Sequence, residues 1–338
     1  MKFQSLILLI SLGCISATSY ALSLVEGTNV TQQLNQEISR LPLGGVLRIP
    51  DGKYKVDATK SIILKSNISI ELSPKTYLEV IPNKNTSYRL FKVHNIKNVT
   101  ISGGNLIGDK YTHLDNKGQW GMGVDVKDSQ NINIKNMNIS KMWGDAIYVG
   151  TLGKNSNANI TAQNIKMNDN RRQGISITSV NGFNGKDLII TNTSGIGPQN
   201  GIDIEPNDNK ALLQNIKFTN LKTRNNKGVG FQASMRHYNG SKNPISITVN
   251  QHTDQGSAFG FVLSGITSPV QGKINISNVN YSINSRTNFC FSDWKNNKIE
   301  VQVDGITHDI KDQLKANPWC EDHKKNPLIL IKNAHFIN

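Results

Sequence analysis

The sequence predicts an all-β chain wound as a parallel β-helix of about nine coils, and two repeated patterns carry that prediction. The first is a phrase in which a small residue is followed by apolar–polar–apolar alternation. It reads Gly123-Val124-Asp125-Val126, Ala146-Ile147-Tyr148-Val149, Gly174-Ile175-Ser176-Ile177, Gly201-Ile202-Asp203-Ile204, Gly230-Phe231-Gln232-Ala233 and Gly260-Phe261-Val262-Leu263, returning every 23–30 residues. Period-two alternation marks a strand, and its return at that interval marks a strand-based solenoid rather than a globular α/β core. The second pattern is a companion family of short strands, among them Ile68–Leu72, Ile132–Ile134, Ile216–Phe218 and Ile274–Ile276. Many are followed by a third apolar pair such as Met137 and Ile139, so three short strands are expected per turn. Asn and Gly punctuate the corners, where Asn tolerates left-handed φ/ψ; the repeated Asn is read as structural.

The elements follow in order. Met1-Lys2, the apolar stretch Leu6–Ile10 and the small-x-small site Ser19-Tyr20-Ala21 read as a signal peptide over residues 1–21. Residues 22–338 then form a single β-helix domain. Val30, Leu34, Ile38 and Leu41 recur at helical spacing, so 29–40 is expected as an amphipathic helix. A solenoid exposes apolar ends that need covering, and this helix is assigned as the N-terminal cap. Gly44–Tyr54 reads as a strand interrupted by the turn Pro50-Asp51-Gly52. From about 305 the alternation fades, and 305–338 is expected to fold back as a C-terminal tail or cap.

Two cysteines follow the signal segment, Cys290 and Cys320. In an oxidising compartment they pair, pinning the tail to the last coils; the alternative is two free buried thiols. No run after residue 21 supplies the about 20 apolar residues of a membrane span. The chain is therefore expected as an exported monomer, periplasmic or extracellular. It carries 38 basic and 24 acidic residues, a net charge of +14. That balance favours polyanionic partners. Nucleic acid is set aside, because no basic run is interleaved with stacking aromatics. An acidic polysaccharide or an anionic envelope fits the compartment. A Lys-rich composition without a specific partner is the plain alternative.

With these residues in view, Gly44–Tyr54, Leu64–Ile68 with Leu72 and Leu78, Arg172–Ile177 and Gly201–Asn207 resemble the pectate-lyase-like right-handed parallel β-helix superfamily over nearly the whole mature chain. The resemblance implies the hand of the coil. It implies a choice among polysaccharide lyases, glycoside hydrolases, epimerases, phage-type depolymerases and non-catalytic members. It does not imply the reaction: the Gly-His-Gly of polygalacturonase-like hydrolases and the Asp-Pro-His of alginate epimerases are both absent.

Stacking the coils on the repeated phrase sends the Ile/Val positions inward and the alternate positions outward. One outward column reads Asp125, Tyr148, Ser176, Asp203, Gln232, Val262; the next contains Lys127, Thr178, Glu205 and Ser234. Asp203 and Glu205 are two apart on one strand, about 6.5–7 Å between Cα atoms on one face. Such a pair suits glycoside hydrolysis, with one carboxyl as proton donor and the other as base or nucleophile. The same pair also suits a calcium ion, the one cofactor considered, or a solvated strand. Arg236 and His237 are the candidates for the alternative reaction, β-elimination. Asp125, Trp143, Tyr148, Arg171, Arg172, Lys227, Gln232 and Tyr238 are expected to contact substrate. Asp125, three coils from Asp203 and so about 14 Å away, is excluded as its catalytic partner. The resulting expectation is an enzyme cleaving an acidic polysaccharide, hydrolysis slightly ahead of elimination, with a glycan-binding or envelope protein as the competing class.

Overall fold

The computed structural model describes residues 22–295, 298–309, 320, 327–333 and 335–337. The expected signal peptide and most of the 310–326 stretch lie outside the described residues.

Among the described residues the chain coils into two sheets of parallel strands, one of fifteen strands and one of nine. The nine-stranded front sheet is built from the repeated phrase. Its successive strands include Trp120–Lys127, Asp145–Gly150, Gln173–Ile177, Asn200–Ile204, Val229–Ser234 and Phe259–Ile266. The register matches the columns read from sequence: Asp125 pairs with Tyr148, Tyr148 with Ser176, Ser176 with Asp203, Asp203 with Gln232, and Gln232 with Val262. The small residue that opens each phrase has a steric cause. A Cβ added at Gly201 would lie 2.5 Å from the carbonyl oxygen of Gly230 on the next coil.

The first coils keep the expected three strands per turn, with Ile68–Leu72 and Thr76–Val80 separate, and Lys97–Ser102 and Asn105–Ile107 likewise. From Gln130 onward the second and third strands run on as one, as in Gln130–Ser140, Ala158–Asn168, Val180–Thr191 and Leu213–Arg224. Each bends at one residue in the left-handed region: Asn136, Asn164, Asp187 and Asn220, with φ of 51–56°. That residue adds an extra step to the alternation. Ile132 and Ile134 before the bend, and Met137 and Ile139 after it, all stay buried. The Asn residues also stack. Asn98 donates to Asn67 at 2.7 Å, Asn131 to Asn98 at 2.8 Å and Asn159 to Asn131 at 3.0 Å. The structural reading of the repeated Asn is the one this ladder supports.

The core between the sheets is a continuous apolar column, including Phe231, Phe261 and Phe289 stacked at 4.8 and 5.1 Å. The expected cap is a helix at Thr31–Arg40 that buries Leu34 and Ile38 against the first coil. Lys65 donates its ammonium to the carbonyls of Ser39 and Leu41, closing the helix C-terminus. At the other end, Ile329–Lys332 and His335–Ile337 pair with Lys298–Asp309, so part of the expected tail continues the sheet. Cys290 and Cys320 form a disulfide. Among the described residues, no helix is long and apolar enough to cross a membrane.

Candidate active site

The outer surface of the front sheet carries most of the polar residues singled out in the sequence. Strand alternation aims Asp125, Tyr148, Ser176, Asp203 and Gln232 out of the core, while neighbouring side chains fold over them. Asp203 is 1% exposed. Gln173 donates its amide to Asp203 Oδ2 at 2.6 Å, and Oδ1 has no hydrogen-bond partner among the described residues. Burial, and then the adjacent Glu205 carboxylate, push the Asp203 carboxyl up to about 8, against the opposing pull of Arg172. Glu205 is half-buried at the end of the same strand, its amide bonded to the carbonyl of Ile177.

A second buried carboxyl, Asp145, belongs to this group. Arg172 Nη1 lies 3.0 Å from its Oδ2, and Ser176 donates to the same oxygen at 2.8 Å. Burial raises the Asp145 carboxyl, with Arg172 and Ser176 opposing. Burial alone would lower the Arg172 guanidinium; the charges of Asp145, Asp203 and Glu205 outweigh it and raise it. Arg172 is thus paired directly with the buried Asp145 and feels the charges of Asp203 and Glu205 beside it.

Asp125 lies at the equivalent position three coils earlier and has a different environment. His94 Nε2 is 2.9 Å away, Arg89 Nε 3.1 Å and Lys127 Nζ 3.4 Å. Burial would raise this carboxyl, but the His94 hydrogen bond and the Lys127, His94 and Arg89 charges hold it below the usual carboxylate range. Lys127 also sits over the Tyr148 ring at 5.1 Å, and the Tyr148 hydroxyl lies 3.3 Å from Thr178.

The remaining predicted contacts divide by position. Gln232 is half-buried beside Asp203, and Lys227 is exposed just before the next strand. Arg236 and His237 are exposed on a short helical turn, Arg236–Tyr238, beyond the end of that strand. Two residues expected on the surface are not there. Tyr238 is fully buried, its hydroxyl donating to the carbonyls of Ala211 and Asn243, so it braces the corner. Trp143 is buried between the imidazole of His113 at 3.9 Å and the guanidinium of Arg171 at 3.6 Å. Arg171 in turn donates to the carbonyls of Gly118 and Trp143, so both serve as packing at the sheet edge. The ring faces of Trp143 are already covered and offer no stacking platform.

Sequence reasoning missed Asp145, Gln173 and Asn200. A signal was present: each occupies the position just before the small residue of its phrase, a column of polar residues that is fully buried. These residues are linked to one another. Gln173 Oε1 accepts from the Asn200 backbone N–H at 2.8 Å, Asn200 Nδ2 donates to Gln232 Oε1 at 2.9 Å, and Asn200 Oδ1 accepts from the Val229 backbone N–H at 2.7 Å. Among the described residues, no group of three or more His, Cys, Asp or Glu side chains is arranged to hold a metal ion.

No protein-family model matches the chain. A curated relative, the uncharacterised protein YclG of Bacillus subtilis, is 29% identical over 276 residues, covering 73% of this chain and 46% of YclG. The chain thus spans less than half the length of that relative. Among solved structures, the polygalacturonase of Erwinia carotovora superposes with a TM-score of 0.65 at 12% identity, covering 96% of this chain and all of the enzyme. The tailspike protein gp49 of Acinetobacter baumannii bacteriophage Fri1, a capsular polysaccharide depolymerase, gives 0.54 at 13% identity, covering 93% of this chain and 60% of gp49. The chain has the right-handed parallel β-helix fold of these solved structures. At these identities the likeness concerns the fold.

Proposed function

We propose that the protein is a carbohydrate-active enzyme that hydrolyses an acidic polysaccharide on the front sheet. The observation that carries this reading is Asp203: a carboxyl raised to about 8, two residues from the half-buried carboxylate Glu205 on the same face. A protonated and an ionised carboxyl side by side are the two groups that glycoside hydrolysis needs. In this reading Asp203 gives its proton to the glycosidic oxygen as the C–O bond breaks. Glu205 supplies the second carboxylate, either taking a proton from the attacking water or bonding to the anomeric carbon. Arg172 holds the surrounding negative charge in place, and Tyr148 flanks the site. The solved structures of like fold, a polygalacturonase and a capsular polysaccharide depolymerase, support the substrate class. Export to the periplasm or medium, as the first 21 residues suggest, would put the enzyme where such polymers are.

A second reading, glycan capture without cleavage, is favoured by one observation. Asp203 is buried, and a buried acid can act only on a substrate that displaces the groups above it.

The experiment is a screen of the purified protein against acidic and neutral polysaccharides, with and without calcium. Reducing ends and the ultraviolet absorbance of unsaturated uronates are read together. New reducing ends without absorbance support hydrolysis. Absorbance identifies β-elimination and moves the chemistry to a cation and a base such as Arg236 and His237. Retention of a polymer with neither signal supports capture.

A further inference from the structure

Beside the Asp203 column the front sheet opens into a cleft of about 420 Å³, lined by Lys227, Gln232, Phe259 and Arg286 and floored by Asn200 and Pro198. Among the described residues, no carboxylate lines it. Lys227 and Arg286 make no ion pair with any described residue, in contrast to Arg89, Lys127 and Arg172. Arg286 lies over the Phe259 ring, 5.6 Å from its centre, which pre-positions the guanidinium without neutralising it. Gln232 has its Oε1 occupied by Asn200, so its NH2 group is left to donate. Among the described lining residues, the charged groups are thus both cations, Lys227 and Arg286. Its volume falls in the range of small-ligand sites.

We propose that this cleft binds the anionic substituent of a sugar ring, a carboxylate or a sulfate ester, next to Asp203. Lys227 and Arg286 would hold the anion and Gln232 a neighbouring hydroxyl. The proposal rests on the polysaccharide reading above and adds to it an anion-selecting subsite of named residues. Gln232 is tied to Asn200 by its side chain, Asn200 to Gln173 by its backbone N–H, and Gln173 to Asp203, so the cleft and the proposed acid are held by one set of contacts. Arg286 reaches the cleft from the coil after Phe259, and no repeated phrase marks it in the sequence.

The test is binding, measured on Asp203→Asn so that turnover does not interfere. The probes are polygalacturonate, its carboxyl-reduced neutral counterpart and a sulfated galactan, each followed by affinity electrophoresis. Lys227→Ala and Arg286→Ala are each expected to weaken binding of the matching anionic polymer about tenfold, as the loss of one charge-assisted contact does. The neutral counterpart should be unaffected. Lys166→Ala, which removes a charge from the opposite sheet, should leave binding unchanged. Preference for polygalacturonate assigns a carboxylate, and preference for the sulfated galactan a sulfate ester. Equal weakening by Lys166→Ala, equal binding of the neutral polymer, or retention of none of the probes overturns the proposal. If the variants lose binding while the wild type cleaves nothing, the cleft stands and the catalytic reading falls.

Discussion

The phrases Gly123-Val124-Asp125-Val126 and Gly201-Ile202-Asp203-Ile204 are nearly the same sequence, in the same register on the same sheet, yet they hold opposite carboxyls. Asp125 is surrounded by Arg89, His94 and Lys127 and is kept ionised below the ordinary range. Asp203 meets the neutral amide of Gln173 and the negative Glu205, and is raised to about 8. In a solenoid the neighbours of a residue come from the coils before and after it. Local sequence sets where a side chain points; the stack sets its charge.

The largest expected effect separates the two positions by activity. Asp203→Asn should lower hydrolysis about 10²–10⁴-fold, the usual contribution of a general acid, with the fold intact. Asp125→Asn, three coils away, should leave the rate within about tenfold of wild type. Stability should show the reverse. Removing Asp125 strands the partly buried cations Arg89 and Lys127 and the hydrogen bond of His94, and is expected to cost about 3 kcal/mol in chemical denaturation. Asp203→Asn should cost little. A matched loss of stability in both variants would dissolve the contrast.

The disulfide offers a comparable stability effect at the end of the same column, since Cys290 pairs in register with Val262. Cys290 and Cys320 are 30 residues apart, so reduction or Cys320→Ala should cost about 3–4 kcal/mol in the chain-entropy picture. The relative activity of Asp203 and Asp125 variants should not change.

The pH dependence sharpens the comparison further. A carboxyl raised in the folded state contributes stability that is full below its unfolded value near 4 and is lost as pH rises to about 8. Asp203→Asn should therefore gain stability relative to wild type as pH rises from about 4 to about 8. The Asp254 carboxyl, buried and raised to about 6, acts in the same direction, and the comparison of wild type with Asp203→Asn cancels it. Activity should fall above about pH 8 as the acid ionises. The smallest effect lies on the opposite sheet. Asn131→Ala removes a ladder hydrogen bond on each side and puts Ala at φ 55°, so about 1–2 kcal/mol is expected, with no change in rate.

The fold was largely legible because a solenoid writes its register into the chain. The small residue, the apolar pair and the interval between phrases were enough to align Asp125, Tyr148, Ser176, Asp203 and Gln232 as they pair in the structure. The merging of the second and third strands was not legible, because one left-handed Asn looks the same at a bend as at a chain corner. Site geometry was legible only in part. Columns give the position of a residue along and across the sheet, but not its rotamer or its cover. Trp143 and Arg171 each stand three residues before the small residue of their phrase, and only packing reveals that they cover each other. Asp145, Gln173 and Asn200 sit where a polar residue reads as a strand edge, and their burial depends on side chains from adjacent coils.

The account stands most directly on the protonation of Asp203. Carbon-13 NMR titration of the carboxyl groups, with Asp203 assigned by its absence in Asp203→Asn, measures it. The expected result is a resonance that is protonated at neutral pH with a midpoint near 8, while Asp125 is ionised throughout that range. A midpoint for Asp203 in the ordinary carboxylate range near 4 would contradict the account.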